Sequence, residues 1–151
     1  MKDIIDFIKM AVSVMTKYFG VNLLSSFIVG IANAVFMCMT HMPHVILISI
    51  IEAVFNMIPQ IGPIIGMALG SGILAITDVK MAIIFAIFSM VLQGIDGYIL
   101  KPKLFGNAFG IPTLLSIAVV LIGGALFGPA GLFLAVPVTV IVIKWFEKGE
   151  D

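Results

Sequence analysis

The first forty residues show two successive hydrophobic patterns. Over residues 2–19, polar side chains recur with a helical period among apolar ones, at Lys2, Asp6, Lys9, Ser13 and Lys17. This pattern predicts an amphipathic helix over residues 1–20 that lies along a membrane surface. Residues 21–40 contain no charged side chain, and a helix of that length crosses roughly 30 Å of hydrocarbon. We predict that they form a full membrane span.

The next apolar stretch is interrupted by prolines and glycines. Residues 45–58 and 61–77 are two apolar pieces, each at or below the roughly 17 residues that a straight crossing needs. Pro59, Gly62 and Pro63 separate them. We interpret the stretch as a hairpin of broken helix, since irregular backbone at membrane depth is tolerated where it lines a cavity or is buried in protein. The alternative is an ordinary tight turn at the membrane surface.

The second half of the chain repeats this order. Residues 81–100 form another long apolar segment, and residues 112–127 and 130–146 form another pair of apolar pieces. The predicted break positions here are Gly128, Pro129, Gly131 and Pro137. The fold class is therefore all-α: a polytopic membrane protein with two long spans and two Gly/Pro-broken hairpins.

Lysine placement predicts the orientation. Every lysine except Lys80 falls on one side of this layout, which predicts that both termini are cytoplasmic. The transmembrane domain then covers residues 21–147, followed by a short tail, 148–151. Residues 21–77 and 81–147 would enter the membrane from opposite faces, so we hypothesise an inverted repeat, an arrangement typical of transporters.

Composition supports a membrane protein and gives no sign of an enzyme. Hydrophobic residues make up 62% of the chain and charged residues 11%, far from the composition of a soluble domain. The formal net charge is zero, so a nucleic-acid partner is not indicated; the lipid bilayer is the expected partner. No GxSxG elbow, phosphate loop or metalloprotease motif is present, and no cofactor is predicted.

Polar side chains within the apolar segments are the candidates for function. Glu52 and Asn56 share a helix face one turn apart, Gln60 follows at the break, and Gln93 and Asp96 share a face of the second span. A carboxylate in the membrane costs about 3 kcal/mol on insertion scales, so it is a functional candidate by default. The alternatives are a hydrated Glu52 near the headgroups and an Asp96 paired with Lys101.

Two other patterns have structural interpretations. Gly62, Gly66 and Gly70 form consecutive GxxxG steps on one helix face, which favours close helix packing. Cys38, His41 and His44 lie at short spacings, but a closed zinc site needs four ligands. A polar loop at the end of a span is the better interpretation, and no metal site is predicted.

Three separated motifs, "IPQIGPIIG", "QGIDGYILKPKLFGNAFGIP" and "GGALFGPAGLFLAVP", resemble the C-terminal half of the autoinducer-2 exporter family of bacterial membrane proteins. The resemblance runs from about Lys17 to Trp145. Two positions depart from the family pattern: Gln60 stands where an aromatic residue is more usual and Asp96 where Glu is commoner, which bears on substrate choice.

The resemblance implies a gradient-driven or passive exporter of small molecules in the bacterial cytoplasmic membrane, including the quorum-sensing signal autoinducer-2 for some members. It also implies homo-oligomers and, for other members, cation/proton antiport. Family members are longer than this chain, so a missing N-terminal half or a partner chain is expected. The alternative from another class is a truncated or non-transporting structural membrane subunit.

Overall fold

A computed structural model gives the structure of the chain and describes residues 1–58 and 61–150. Within these ranges all regular secondary structure is helical. The helices are α1 (Lys2–Met39), α2 (Val45–Asn56), α3 (Ile61–Thr77), α4 (Val79–Ile95), a π-helical turn (Asp96–Leu100), α5 (Lys101–Phe109) and α6 (Thr113–Glu150).

Three helical segments of the described chain are long and apolar enough to cross a membrane: Lys2–Met39, Val79–Phe109 and Leu114–Glu150. The predicted all-α polytopic membrane fold is thereby confirmed. The chain divides into two compact units, Asn22–Leu100 and a second unit made of Met1–Val21 with Lys101–Asp151. The correspondence of residues 21–77 and 81–147 as an inverted repeat stays a prediction.

Helix α1 joins the two segments that the sequence separates. It runs without a break from Lys2 to Met39, so the amphipathic segment and the first apolar segment form one helix. Its surface location over residues 1–20 stays a prediction. After α1, His41 and His44 adopt positive φ angles of 53° and 59°, a conformation that histidine tolerates better than most residues. These residues turn the chain into α2.

Helices α2, α3 and α4 pack in sequence within the unit Asn22–Leu100. Asp78 alone separates α3 from α4, and its side chain accepts a hydrogen bond from the backbone N–H of Lys80 at 2.8 Å, an N-cap interaction. The buried apolar core of this unit consists of Met37, Met42, Ile48, Leu74, Ala82 and Phe85.

The three glycines of the GxxxG steps are buried on one face of α3. A Cβ added at Gly66 would lie 3.2 Å from Oε2 of Glu52, and one added at Gly70 would lie 2.7 Å from Cε1 of Phe85. A Cβ at Gly62 would overlap the backbone carbonyl of Phe55. The glycine face therefore lets α3 approach α2 and α4 closely.

Two of the three residues of the first predicted break lie inside α3. Gly62 and Pro63 belong to the first turn of that helix, where proline is tolerated because the first N–H groups have no intrahelical partner. Pro59 and Gln60, named above as a break and a polar group, lie outside the described residues.

The second apolar segment is longer than the predicted 81–100. A π-helical turn over Asp96–Leu100 carries the helix from α4 into α5, which ends at Phe109. Pro102 has no N–H for the carbonyl four residues before it, and its ring would clash with that carbonyl. A wider turn immediately before Pro102 relieves both problems, so the helix continues where the sequence suggests an end.

The unit formed by Met1–Val21 and Lys101–Asp151 has its own apolar core. It consists of Val14, Tyr18, Val21, Phe105, Phe109, Val136 and Val140. The ring of Tyr18 stacks on Phe105 with centroids 5.0 Å apart and meets Phe133 edge-on at 5.2 Å. Near the chain ends, Lys148 Nζ contacts Asp6 Oδ2 at 2.5 Å. These contacts fasten the N-terminal part of α1 to the C-terminal helices.

Helix α6 is two arms joined at Gly128. That residue has φ 64° and ψ −142°, a conformation that is essentially restricted to glycine. A Cβ at Gly131 would overlap the carbonyl of Gly123, and one at Gly123 would lie 2.8 Å from Cβ of Ala135. The two arms therefore fold back on each other. Pro129 opens the second arm.

The two remaining predicted break positions are helical. Gly131 belongs to the helix and serves the contact between the arms, whereas Pro137 lies inside the second arm. The irregular backbone of this hairpin is thus confined to Gly128 among the residues that α6 contains.

The close approach of α2 and α3 at Gly62 can be tested by mutation. A Cβ at Gly62 would overlap a backbone carbonyl, which cannot move aside without shifting a helix. We expect Gly62→Ala to lower the free energy of unfolding by about 1–3 kcal/mol, the usual cost of overpacking, measured by thermal unfolding in detergent. Gly72→Ala is the control, because a Cβ there meets open space and alanine favours the helix. Equal destabilisation by both variants would contradict this packing.

Candidate functional site

Helix α2 turns a polar face inward. Its buried residues are Ile48, Ser49, Glu52 and Asn56, and the three polar ones follow a spacing of three and then four residues. Apolar side chains such as Ile46, Ile50 and Val54 are exposed instead. A helix that is apolar outside and polar inside is suited to a lipid environment around a polar interior.

Glu52 is the centre of this polar interior. Its side chain is completely buried. Oε1 accepts a hydrogen bond from the hydroxyl of Ser89 at 2.8 Å, and Oε2 accepts one from Nε2 of Gln93 at 3.1 Å. Both donors come from α4 and carry no charge. Gly66 of α3 lies against the carboxylate, so a larger residue there would press on it.

Helix α1 adds a second layer of polar groups. Nδ2 of Asn56 donates to the hydroxyl of Ser26 at 3.4 Å, and that hydroxyl donates to the backbone carbonyl of Asn22 at 2.8 Å. The neighbouring hydroxyl of Ser25 donates to Oδ1 of Asp96 at the start of the π turn. Adjacent serines of one helix therefore contact polar groups from α2 and from the end of α4.

Several buried polar atoms of this unit have no hydrogen-bond partner among the described residues. They are Asn33 Oδ1, Ser49 Oγ, Asn56 Oδ1, Ser71 Oγ and Gln93 Oε1. Buried polar groups are nearly always paired in folded proteins, and exceptions call for an explanation such as a ligand or a strained functional site. Three of the five atoms are amide oxygens, which accept hydrogen bonds or bind cations.

The structure brings the predicted polar residues together in one unit, with one exception. Gln93 donates a hydrogen bond to Glu52 directly. Asn56 is hydrogen-bonded to Ser26 of α1, and Asp96 to the neighbouring Ser25. Gln60 lies outside the described residues. A transport role for these residues stays a prediction.

Sequence reasoning missed other buried polar residues on α1, α2 and α4: Asn22, Ser25, Ser26, Ser49 and Ser89. A signal for them was present. Polar residues recur at helical spacing in each apolar helix, as 22, 26 and 33, as 49, 52 and 56, and as 89, 93 and 96. Three polar stripes in three apolar helices indicate one shared polar interior.

A groove of about 440 Å³ lies beside this interior, between α1 and α2. Its lining is apolar except for Ser26 and Ser49. The two helices lie close together at Gly30, where an added Cβ would lie 2.9 Å from Cβ of Ala53. Ser26 is thus shared between the groove and the hydrogen bonds of Asn56.

Buried carboxylates held by neutral donors inside an apolar helical bundle are typical of membrane transporters. The model of the AI-2E family transporters matches residues 1–151. The chain belongs to that family.

Named relatives agree with this assignment. "Putative transport protein YrrI" of Bacillus subtilis is 31% identical over 126 residues, which cover 83% of this chain and 35% of that protein. "Putative transport protein YueF" of the same organism is 31% identical over 133 residues, covering 87% and 36%. "AI-2 transport protein TqsA" of Escherichia coli is 25% identical over 144 residues, covering 89% and 40%. The chain thus spans 35% to 40% of the length of these relatives. No solved structure matches it significantly.

The hydrogen bond from Ser89 to Glu52 gives a stability prediction. Ser89→Ala leaves one oxygen of a buried carboxylate without its donor, so we expect the free energy of unfolding to fall by about 1–3 kcal/mol. Ser71→Ala is the matched control, because its buried hydroxyl has no hydrogen-bond partner to lose within residues 1–58 and 61–150. Thermal unfolding of the purified variants measures both. A Ser89→Ala variant as stable as Ser71→Ala would argue against this hydrogen bond.

Proposed function

We propose that this chain forms the transport site of a secondary transporter that exports small molecules across the bacterial cytoplasmic membrane. The observation that carries the proposal is Glu52, a fully buried carboxylate whose two oxygens accept hydrogen bonds from neutral side chains. Such a group is costly to keep in an apolar bundle. A change in its charge state is a direct way to couple an ion gradient to a change in helix packing.

The mechanism follows from the contacts of Glu52. Ionised, the carboxylate holds Ser89 and Gln93 against α2 through charge-assisted hydrogen bonds. Protonated, it makes weaker hydrogen bonds with the same donors, so α4 is released more easily from the hairpin of α2 and α3. Access to the polar interior would then alternate with the charge of Glu52.

The substrate class rests on family membership. One relative carries the name of an autoinducer-2 transport protein, and the three sequence motifs resemble exporters of that signal. An uncharged polar molecule of this kind suits an interior rich in hydroxyl and amide groups, such as Ser26, Ser49 and Asn56. We therefore propose autoinducer-2 or a similar small polar molecule as the exported substrate.

The proposal includes the orientation of the chain in the membrane and its oligomeric state. Lysine placement supports cytoplasmic termini, and the family resemblance supports homo-oligomers. The chain spans 35% to 40% of the length of its relatives. We therefore propose that a whole transporter includes further segments, on the same chain or on a partner chain.

Cation/proton antiport is a second candidate function. The observation that favours it is Asp96, a second buried carboxylate of the same unit that accepts a hydrogen bond from Ser25. Two intramembrane carboxylates are enough to exchange protons for cations without an organic substrate.

Charge neutralisation at Glu52 tests the proposal. In proteoliposomes containing the 151-residue chain, we expect Glu52→Gln to reduce gradient-driven autoinducer-2 flux by about tenfold or more, because the coupling charge is lost. Glu147→Gln is the matched control, since Glu147 is exposed near the C-terminus. Wild-type flux from Glu52→Gln would refute the coupling role. Absence of flux from every variant would favour a structural subunit.

Substitution of Asp96 distinguishes the two candidate functions. If the chain is an antiporter, Asp96→Asn should abolish the response of an internal pH dye to an added sodium gradient, because one of two exchanging carboxylates is gone. If it is an exporter coupled through Glu52 alone, autoinducer-2 flux should survive Asp96→Asn. Loss of autoinducer-2 flux in Asp96→Asn, with the protein folded, would count against coupling through Glu52 alone.

A further inference from the structure

The groove between α1 and α2 is lined by two stripes of residues with the same spacing. On each helix the lining residues follow the first one at intervals of 3, 4, 7, 8 and 11 residues, from Leu23 to Ala34 on α1 and from Ile46 to Met57 on α2. This spacing keeps each stripe on one helix face. Eleven steps of 1.5 Å give a groove about 17 Å long, close to half of the roughly 30 Å hydrocarbon core of a bilayer. The groove is therefore about as long as one leaflet is thick.

The walls of this groove suit an acyl chain. Apolar side chains that are exposed in the structure border it on both helices, namely Phe27, Ile31, Ile46, Ile50 and Val54. No charged residue of the described chain lines it. A charged group would lose its hydration here without gaining a partner, so the part of a ligand that lies in the groove is neutral and mostly apolar.

Ser49 gives the groove a hydrogen-bond donor that the protein does not use. Its side chain is 7% exposed, and its hydroxyl has no hydrogen-bond partner among the described residues. The other serine of the lining, Ser26, donates to the backbone carbonyl of Asn22 at 2.8 Å, a common arrangement for serine in an apolar helix. An unpaired buried hydroxyl is costly. Ser49 therefore favours a ligand that carries a hydrogen-bond acceptor.

The position of Ser49 along the groove indicates which acceptor this is. Ser49 lies four residues after Val45, the first residue of α2, and thus about 6 Å into the helix. The turn before α2 carries Thr40, His41 and His44 after the apolar segment of α1, which indicates a place near the membrane surface. The ester carbonyls of phospholipids lie where the hydrocarbon core meets the headgroup region. A lipid whose acyl chain follows the groove brings its ester carbonyl to the level of Ser49.

We propose that the groove between α1 and α2 binds one acyl chain of a bilayer phospholipid, and that the hydroxyl of Ser49 donates a hydrogen bond to the ester carbonyl of that chain. The lipid belongs to the leaflet on the side of the turn between α1 and α2. It fills the space beside the contact of Gly30 with Ala53. The site depends on the membrane fold and is independent of the transport role of Glu52.

The groove between the two arms of α6 provides an internal comparison. It has a volume of about 480 Å³ and an apolar lining with one hydroxyl, that of Thr139. This hydroxyl already donates to the backbone carbonyl of Ala135 at 2.7 Å. The two grooves therefore offer similar space to an acyl chain, but they differ in whether a hydroxyl is left to bind an ester.

Photolabelling with two matched lipids tests the site. The full chain is purified into phosphatidylcholine nanodiscs that contain a small fraction of a phosphatidylcholine with a photoreactive diazirine in one acyl chain. A second probe carries the same diazirine chain through an ether bond, which lacks the carbonyl. Peptide mass spectrometry measures the labelling of each groove, and the ratio of ester to ether labelling cancels differences in residue reactivity. We expect a ratio of about three to ten in the groove between α1 and α2, the effect of one net hydrogen bond, and equal labelling by both probes in the α6 groove.

A variant identifies the donor. Ser49→Ala should lower labelling by the ester probe in the groove between α1 and α2 to the level of the ether probe. The variant should fold as the wild type does, because the hydroxyl has no hydrogen-bond partner to lose within residues 1–58 and 61–150, and thermal unfolding checks this. Ser71→Ala is the matched control. It removes another buried hydroxyl without a partner among those residues, on α3 and outside the groove, and should be labelled as the wild type is.

Three results would overturn the inference. The first is equal labelling of the groove between α1 and α2 by the ester and ether probes, and the second is undiminished labelling of folded Ser49→Ala by the ester probe. The third is no label in this groove from either probe, which would mean that another helix covers it. Autoinducer-2 flux is measured separately, so each of these results leaves the proposed function standing.

Discussion

The need to satisfy a buried carboxylate governs the packing of α2, α3 and α4. A charge removed from water is tolerated only where the fold supplies hydrogen bonds at the correct distance. Glu52 receives them from Ser89 and Gln93, which lie one turn apart on α4. Gly66 keeps α3 close without displacing the carboxylate. The residues that pack α2, α3 and α4 together therefore also form the polar site.

The elements that the sequence predicted well are those with a local cause. An uncharged run of residues predicts a span, and a Gly-Pro pair predicts the break that Gly128 makes in α6. The polar partners were missed because their role depends on distant contacts: Ser89 is 37 residues from Glu52, and Ser25 is 71 residues from Asp96. Serine in a helix is unremarkable by itself. The π turn was missed for a similar reason, because Pro102 by local rules predicts the end of a helix.

The helix pair α2 and α3 and the two arms of α6 both pack closely through a glycine, but the side chains around them differ in chemistry. A glycine faces a backbone carbonyl in each, Gly62 against Phe55 and Gly131 against Gly123. The first hairpin surrounds a carboxylate. The second borders a groove of about 480 Å³ whose lining is apolar except for Thr139. The described polar interior that contains both buried carboxylates lies in the unit Asn22–Leu100. The inverted repeat stays a hypothesis.

Under the proposed function, the paired serines of α1 are the route by which the two buried carboxylates act together. Successive residues of a helix point about 100° apart, so Ser25 and Ser26 face different neighbours. Ser26 accepts from Asn56, next to Glu52 on α2, while Ser25 donates to Asp96 at the π turn. Displacement of α2 changes the position of Ser26, and a rigid helix carries that change to Ser25. In the proposed mechanism, a change in the charge of Glu52 would thereby alter the hydrogen bond of Asp96 through α1.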